Sequence, residues 1–422
     1  MSAEVTEHNM KDRANVRQHL ENHLIDYLEF LRQMVAINSF TANAAGVNDV
    51  GDLIIKQFAC LGFEPEFENS TDERYGRHIF LRRPAGSERN ESAPPVVALI
   101  SHLDTVYPIE EEQRNDFAWH ESNERIYGPG IVDIKGGTLM IYMVLDSLYH
   151  CLRDVFESTD WWVCFNASEE VLANDFSKHC LEKLPVDTRA CLVFEAGKLA
   201  GDDCRLVDAR KGRASFKATV FGKSAHSGNN HHQGANAILQ LAKTIQKIEA
   251  LTDYESQLTF NVGVVKGGVV RNRVPSHAEA LIEMRAFDPD VFNQGIADIL
   301  ALDGKSDVSS GEGYPCQVTM LLEDRTEPWP SSPGLLHVWQ QCGQETGLNI
   351  LPERRGGLSD ANFLWRHFPT LDGLGPSGGN AHCAQRNADR SLDQEYVDKS
   401  SLIPKAELNI AAISRLIGYD VL

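Results

Sequence analysis

Val96-Val-Ala-Leu-Ile-Ser-His-Leu-Asp-Thr-Val-Tyr-Pro108 opens with five apolar residues and runs into a histidine and an aspartate. A short, continuously apolar stretch of this kind suits a strand buried on both faces of a parallel sheet. His102 and Asp104 then stand just past its carboxyl end, where open α/β sheets form their crevices. Two further stretches have the same character. Trp162-Val-Cys-Phe165 precedes the pair Glu169-Glu170, and Cys191-Leu-Val-Phe194 is closed by Glu195. Three independent motifs thus place acid or imidazole groups at strand ends.

Between these strands the spacing predicts helices. Asn15–Val35 carries Leu24, Tyr27, Leu28, Leu31 and Val35 at helical intervals, a second helix follows near Val47–Leu61, and Gly137–His150 places Ile141, Val144, Leu145 and Leu148 on one side. Alternating strands and helices imply an α/β domain, doubly wound around a mostly parallel sheet. From about Lys211 the texture changes. Ser215-Phe-Lys-Ala-Thr-Val220 alternates, Ala237–Ile248 is an amphipathic helix, and Leu258–Val265 reads as a strand. His277–Ala286 has period two, with Ala278, Ala280, Ile282 and Met284 on one face and Arg285 on the other. This block predicts a smaller α+β domain, an antiparallel sheet with helices on one face, inserted into the first. The expected division is residues 1–208 and 320–422 for the catalytic domain and 209–319 for the insert.

Bulk composition narrows the chemistry. With 42% hydrophobic and 24% charged residues the 422-residue chain is that of a folded, soluble protein. A net charge of −20 argues against nucleic acid and anionic membranes as partners. No apolar run reaches the roughly 18 residues of a membrane helix, and the acidic amino terminus has no secretory core, so the expected location is cytoplasmic. The nine cysteines include no Cys-x-x-Cys pair and are expected to be buried, reduced thiols. Cys383, beside His382, reads as a packing residue, since no base is placed for it.

The motifs point to a metal. His102, Asp104, Asp133 in Gly128-Pro-Gly-Ile-Val-Asp-Ile-Lys-Gly-Gly137, Glu169-Glu170, Glu195 and His382 mix imidazole with carboxylate and contain no thiol, which suits a catalytic divalent ion, zinc first. A carboxylate next to a ligating histidine commonly orients it, the part expected of Asp104. Adjacent carboxylates after an apolar strand repel one another unless a metal or proton intervenes. Consecutive residues point different ways, so Glu170 is read as a ligand and Glu169 as the general base. On the insert, Arg285 near Asn272 suggests a clamp for a substrate carboxylate. Gly356-Gly-Leu-Ser-Asp360 and Gly373-Leu-Gly-Pro-Ser-Gly-Gly379 read as turns shaping the crevice.

These residues together resemble the metallopeptidase-20 group: glutamate-releasing carboxypeptidases, aminoacylases, acetylornithine deacetylases, succinyl-diaminopimelate desuccinylases and related dipeptidases. The resemblance runs from about Leu28 to the carboxyl terminus. It is carried by His102-Leu-Asp-Thr-Val, Asp133-Ile-Lys-Gly-Gly, Glu169-Glu170, Glu195, Lys223-Ser-Ala-His226, Asn272-Arg-Val-Pro, Ser359-Asp360 and His382. It implies that Asp133 bridges two zinc ions, one completed by His102 and Glu195 and the other by Glu170 and His382. One or two ions per subunit are expected, with manganese or cobalt as alternatives. It further implies that the insert is a lid that forms a homodimer and carries His226 to the partner's site, and that Asn272 and Arg285 hold the substrate carboxylate. The activity implied is hydrolysis of an amide bond next to a carboxylate in an N-acyl amino acid or small peptide. The alternatives are another C–N bond (ureido, carbamoyl or amino group of a small acid) and a silent binding member of the fold. One departure stands out: family members carry Gly-Ser soon after the paired glutamates, where this chain has Val171-Leu-Ala-Asn-Asp-Phe-Ser177.

Overall fold

The computed structural model describes residues 3–86, 93–331, 333–389 and 391–419. The chain divides into two compact units, Met1–Asp208 with Ser332–Glu353 and Ser359–Leu422, and Ala209–Ser331 with Arg354–Leu358. The expected return near Met320 falls inside a strand of the second unit, Gln317–Thr326. Its alternating face needs that sheet for cover, so the chain leaves only after the strand is complete.

The first unit is built on a six-stranded sheet. Its strands are β1 (Glu64–Asn69), β2 (Arg77–Arg83), β3 (Val96–His102), β4 (Asp160–Asn166), β5 (Ala190–Val193) and the short Thr370–Leu371, in the order β1-β2-β4-β3-β5 and then Thr370–Leu371. Pairing is parallel for β3 with β4 and β5, and for Thr370–Leu371 with β5, whereas β2 runs against both its neighbours. Every residue of β3, β4 and β5 is buried, the reason these strands are continuously apolar. The chain leaves β3 on one side to form β4 and returns past it to form β5, which makes the carboxyl end of β3 a topological switch point. The expected doubly wound, mostly parallel arrangement is present.

Helices α1 (Ala3–Val35), α2 (Ala44–Phe58), α3 (Gly136–Cys151) and α4 (Asp175–Lys183) belong to this unit, as do Pro333–Thr346 and Leu402–Leu416. α1 starts well before the expected Asn15. Its buried apolar residues include Val16, Leu20, Tyr27, Leu31 and Val35, and the sequence ahead of Val16 is mostly polar, so periodicity did not mark the helix start. α3 is buried on nearly all sides and packs with α1 and Leu402–Leu416 in the main core.

The second unit holds four antiparallel strands, β6 (Gly212–Phe221), β7 (Thr259–Gly267), β8 (His277–Ala286) and β9 (Gln317–Thr326), in the order β7-β8-β6-β9. Ala278, Ala280, Ile282, Met284 and Ala286 on β8 and Ala214, Phe216, Ala218 and Val220 on β6 are buried. They form one core beneath α5 (Ala237–Glu249) and α6 (Pro289–Leu300), while the opposite face stays open, as the period-two pattern requires. No helix among the described residues is long and apolar enough to cross a membrane. Among the described residues the nine cysteines form no disulfide, and six of them are buried.

Candidate metal centre

His102 is the last residue of β3, and its ring is fixed from both sides. Nδ1 lies 3.0 Å from the backbone oxygen of Asp104. A carbonyl only accepts, so Nδ1 carries the hydrogen and Nε2 is left to face Asp133 Oδ1 at 3.1 Å. The other oxygen of the same carboxylate, Oδ2, lies 3.2 Å from Nε2 of His382. That nitrogen is also 3.3 Å from Glu170 Oε2. Asp133 therefore stands between two imidazoles, one for each oxygen. Glu195, just past β5, brings Oε1 to 3.9 Å from His102 Nε2.

Local backbone explains how these groups arrive. Asp133 lies in the tight turn Ile131–Lys135 that leads into α3, and the Asp133–Ile134 peptide is cis. Gly130 enters that turn at φ 68°, and a Cβ there would sit 2.4 Å from Thr105 Cγ2. At the start of α3, a Cβ on Gly137 would lie 2.0 Å from the Phe194 carbonyl oxygen. Only glycine lets the helix close on the end of β5, which brings Asp133 and Glu195 to one place. His382 adopts φ 64°, a left-handed conformation costing a histidine on the order of 1 kcal/mol.

Glu169 and Glu170 form a single helical turn after β4. Their backbone N–H groups donate to Asp104 Oδ1 and Oδ2 at 3.1 and 3.2 Å, and Thr41 Oγ1 donates to Oδ2 at 2.7 Å. The buried Asp104 carboxylate thus ties the His102 segment to the paired glutamates, with Nδ1 of His102 3.3 Å from Oδ1. Asn166 supports the same turn, accepting from Ser168 N–H at 3.0 Å and donating to Asp360 at 2.9 Å.

The charge balance is that of a cation site. Burial, reinforced by Glu195, Asp360 and Glu170, holds the Glu169 carboxyl well above the usual range although His102 works against it. Burial also raises Glu170. Hydrogen bonds to Asp133 and Glu170 push His382 up to about 10. For His102, burial favours the neutral ring, but Asp104 and Asp133 outweigh it and the net shift is upward. Burial would raise Asp133, yet His102 and His382 bring it below its ordinary value. Acceptors that face one another at these distances need a proton or a cation between them. One atom has no neighbour to share a proton with: Glu170 Oε1 is buried with no hydrogen-bond partner among the described residues. Donor atoms of His102, Asp133 and Glu170 all lie within 4.8 Å of one another. Nitrogen and oxygen donors converging on an orphaned carboxylate oxygen fit a divalent ion.

His226, Asn272 and Arg285 belong to the second unit. His226 is exposed, its Nδ1 accepting from the N–H groups of Gly228 and Asn229 at 3.1 Å each, which leaves the hydrogen on Nε2. Asn272 is its neighbour through a backbone bond from Ser227 N–H to Asn272 O of 3.0 Å. Arg285 is already engaged, donating to Glu283 Oε1 at 2.6 Å and to the Gly356 carbonyl at 2.8 Å. It is therefore an arginine that holds the Gly356 turn, and a clamp role would have to share that guanidinium. Cys383 Sγ faces the Gln385 carbonyl at 3.6 Å. Sequence reasoning missed Thr41 and Asn166, which lie in no chemical motif. It read Asp360 as part of a turn and of the resemblance without giving it a role, whereas its carboxyl is buried and pushed up to about 7 by that burial.

Residues 208–305 match the model of the peptidase dimerisation domain. Over 393 residues the chain is 25% identical to carboxypeptidase G2 of Pseudomonas sp. (strain RS-16), covering 89% of this chain and 85% of the relative. It is 24% identical over 418 residues to acetylornithine deacetylase of Klebsiella pneumoniae (strain 342), covering 92% and 97%. Among solved structures, aminopeptidase PepT from Bacillus cereus ATCC 10987 superposes with a TM-score of 0.73 at 20% identity, covering 92% of this chain and 98% of that one. A matched dimerisation domain, relatives aligned over most of both chains and a shared fold support the resemblance to the metallopeptidase-20 family.

Proposed function

We propose that this chain is a divalent-metal-dependent hydrolase that cleaves an amide bond next to a carboxylate, in an N-acyl amino acid or a small peptide. The observation that carries the reading is the Asp133 carboxylate set between His102 and His382, with Glu170 Oε1 orphaned beside it. In this reading His102, Asp133 and Glu195 would hold one ion, and Asp133, Glu170 and His382 would hold a second. Such ions, zinc by donor type, would supply Lewis acidity toward the scissile carbonyl and toward water. Relatives named as a carboxypeptidase and a deacetylase support the reaction class.

The chain's own residues do the rest. Asp104 keeps His102 in the tautomer that presents Nε2, and it holds the Glu169–Glu170 turn in place. Glu169 takes the proton of the attacking water and passes it to the departing amine nitrogen. Burial keeps its carboxyl basic enough to accept that proton and to give it up again. His226, exposed on the unit that matches the dimerisation domain, donates from Nε2 to the carbonyl oxygen of substrate bound by the other subunit of a homodimer. Asn272 and Arg285 meet the substrate carboxylate.

The test is turnover. Protein loaded with zinc, manganese or cobalt is assayed against N-acyl amino acids and dipeptides, beside ureido, carbamoyl and amino-substituted acids. Cleavage of an N-acyl amino acid or dipeptide is expected. Turnover confined to the second group would move the reading to another C–N bond, and inactivity on every substrate with metal bound would leave a silent binding protein.

A further inference from the structure

A single buried residue outside every motif read from the sequence touches, through side chain and backbone, three of the segments that form the metal centre. Glu395 has no solvent exposure. Its Oε1 accepts from the backbone N–H of Val132 at 2.7 Å and of Asp133 itself at 3.0 Å. Its Oε2 accepts from the hydroxyl of Tyr107, equally buried, at 2.6 Å. Tyr107 lies three residues past Asp104, on the segment that begins with His102. The backbone of Glu395 continues the pattern, its N–H donating to the Cys383 carbonyl at 2.9 Å and its carbonyl accepting from Gly128 N–H at 3.4 Å. Cys383 follows His382, and Gly128 opens the turn that presents Asp133.

Strand pairing explains why this residue stands at the crossing. Tyr396–Asp398 pairs antiparallel with Arg125–Tyr127 on one side and with Gly378–Gly379 on the other. The first partner leads into the Asp133 turn and the second into the His382 loop. Glu395 is the residue just before this strand, so its backbone is held at the point from which both segments depart. Asp133 needs such support. Its turn departs from helical backbone at Asp133 and Ile134, so its N–H groups cannot be satisfied by a regular helix.

We propose that Glu395 is a positioning residue for the metal centre, locking the backbone of Asp133 and joining it through Tyr107 and Cys383 to the His102 and His382 segments. Its effect is on how tightly the cations are held, through the orientation of Asp133. The inference rests on the metal-centre reading given above, and it needs no knowledge of the substrate.

Zinc affinity of the metal-free full chain, by competition with a chromophoric chelator, tests it, with thermal midpoint and circular dichroism recorded on the same samples. Outer partners of metal ligands typically change affinity by about 10- to 100-fold, and a loss of that size is expected for Glu395→Leu. Glu395→Gln keeps one carbonyl oxygen for the two N–H groups and is expected to stay within a few-fold of the native protein. Tyr107→Phe removes one donor only and should weaken zinc severalfold. A folded Glu395→Leu protein that binds zinc as tightly as the native chain, whatever its thermal midpoint, would overturn the proposal. If that variant does not fold, Tyr107→Phe decides, and native affinity there overturns it. Failure of the native chain to bind zinc would instead reject the metal-centre reading.

Discussion

The two units hold their candidate functional residues in opposite ways. In the first, His102, Asp104, Asp133, Glu169 and Glu170 sit at strand ends or in tight turns and are bound to one another by buried hydrogen bonds. In the second, His226 and Asn272 are exposed and held mainly by local backbone contacts. A centre that must bind a multivalent ion gains from donors fixed in advance, because each rotamer frozen on binding costs free energy. A group that meets a substrate entering from solvent can stay accessible. Only substitutions in the first unit should therefore disturb metal content.

The largest effect is expected inside the first unit. Glu169→Gln should lower turnover by about 10²–10⁴ or more, the range for loss of a positioned base, while bound metal measured by elemental analysis stays near native. Activity near the native rate would remove Glu169 from the role of base. Asp133→Ala should weaken zinc by more than about 100-fold, beyond what outer partners contribute. Unchanged metal content would mean that its carboxylate is not a ligand and that the contrast between the units is misplaced.

Proton competition sharpens the same point. His382 is pushed up to about 10 by its hydrogen bonds to Asp133 and Glu170, and burial raises Glu170, so protons held between them compete with an entering ion. Raising the pH removes those protons, and zinc affinity should climb about tenfold per pH unit for each proton released. Calorimetric titration in buffers of different ionisation enthalpy counts those protons. A flat affinity between about pH 6 and 8 would contradict a site built on these two groups.

Smaller effects on metal content are expected from the second unit. His226→Ala should be folded and metal-loaded yet nearly inactive. Mixed with Glu169→Gln under subunit exchange, it should recover roughly a quarter of native activity, because half the chains form heterodimers with one good site each in a two-fold dimer. No recovery after verified exchange would confine His226 to its own subunit or to no catalytic part. The mildest change is Arg285→Lys. An ammonium cannot reproduce the fork that holds Glu283 and the Gly356 carbonyl, so KM should rise severalfold with kcat little altered. Equal loss in kcat would show that the Gly356 turn matters to the chemistry itself.

Legibility followed burial. β3, β4 and β5 could be read because strands covered on both faces are continuously apolar, and β8 because one covered face imposes period two. β1 could not, since Glu-Pro-Glu-Phe-Glu-Asn at an exposed edge carries no such pattern, and β2 was hidden by its charged ends Arg77, Arg82 and Arg83. Likewise His102 and Glu195 announced themselves by position, whereas Thr41 and Asn166 are small polar residues whose part depends wholly on what lies opposite them.

By itself the sequence determined the layering, the strand ends, and the kinds of donor waiting there, because apolar periodicity and residue chemistry are local properties. Only the tertiary structure decided that the two oxygens of Asp133 face different imidazoles, and that Asp104 spends its carboxylate on the Glu169–Glu170 turn. It also decided that Glu395, 262 residues beyond Asp133 in the chain, supports that residue's backbone. Such contacts depend on directions and distances of a few tenths of an ångström between distant segments, and these exist only once the sheet has brought the segments together.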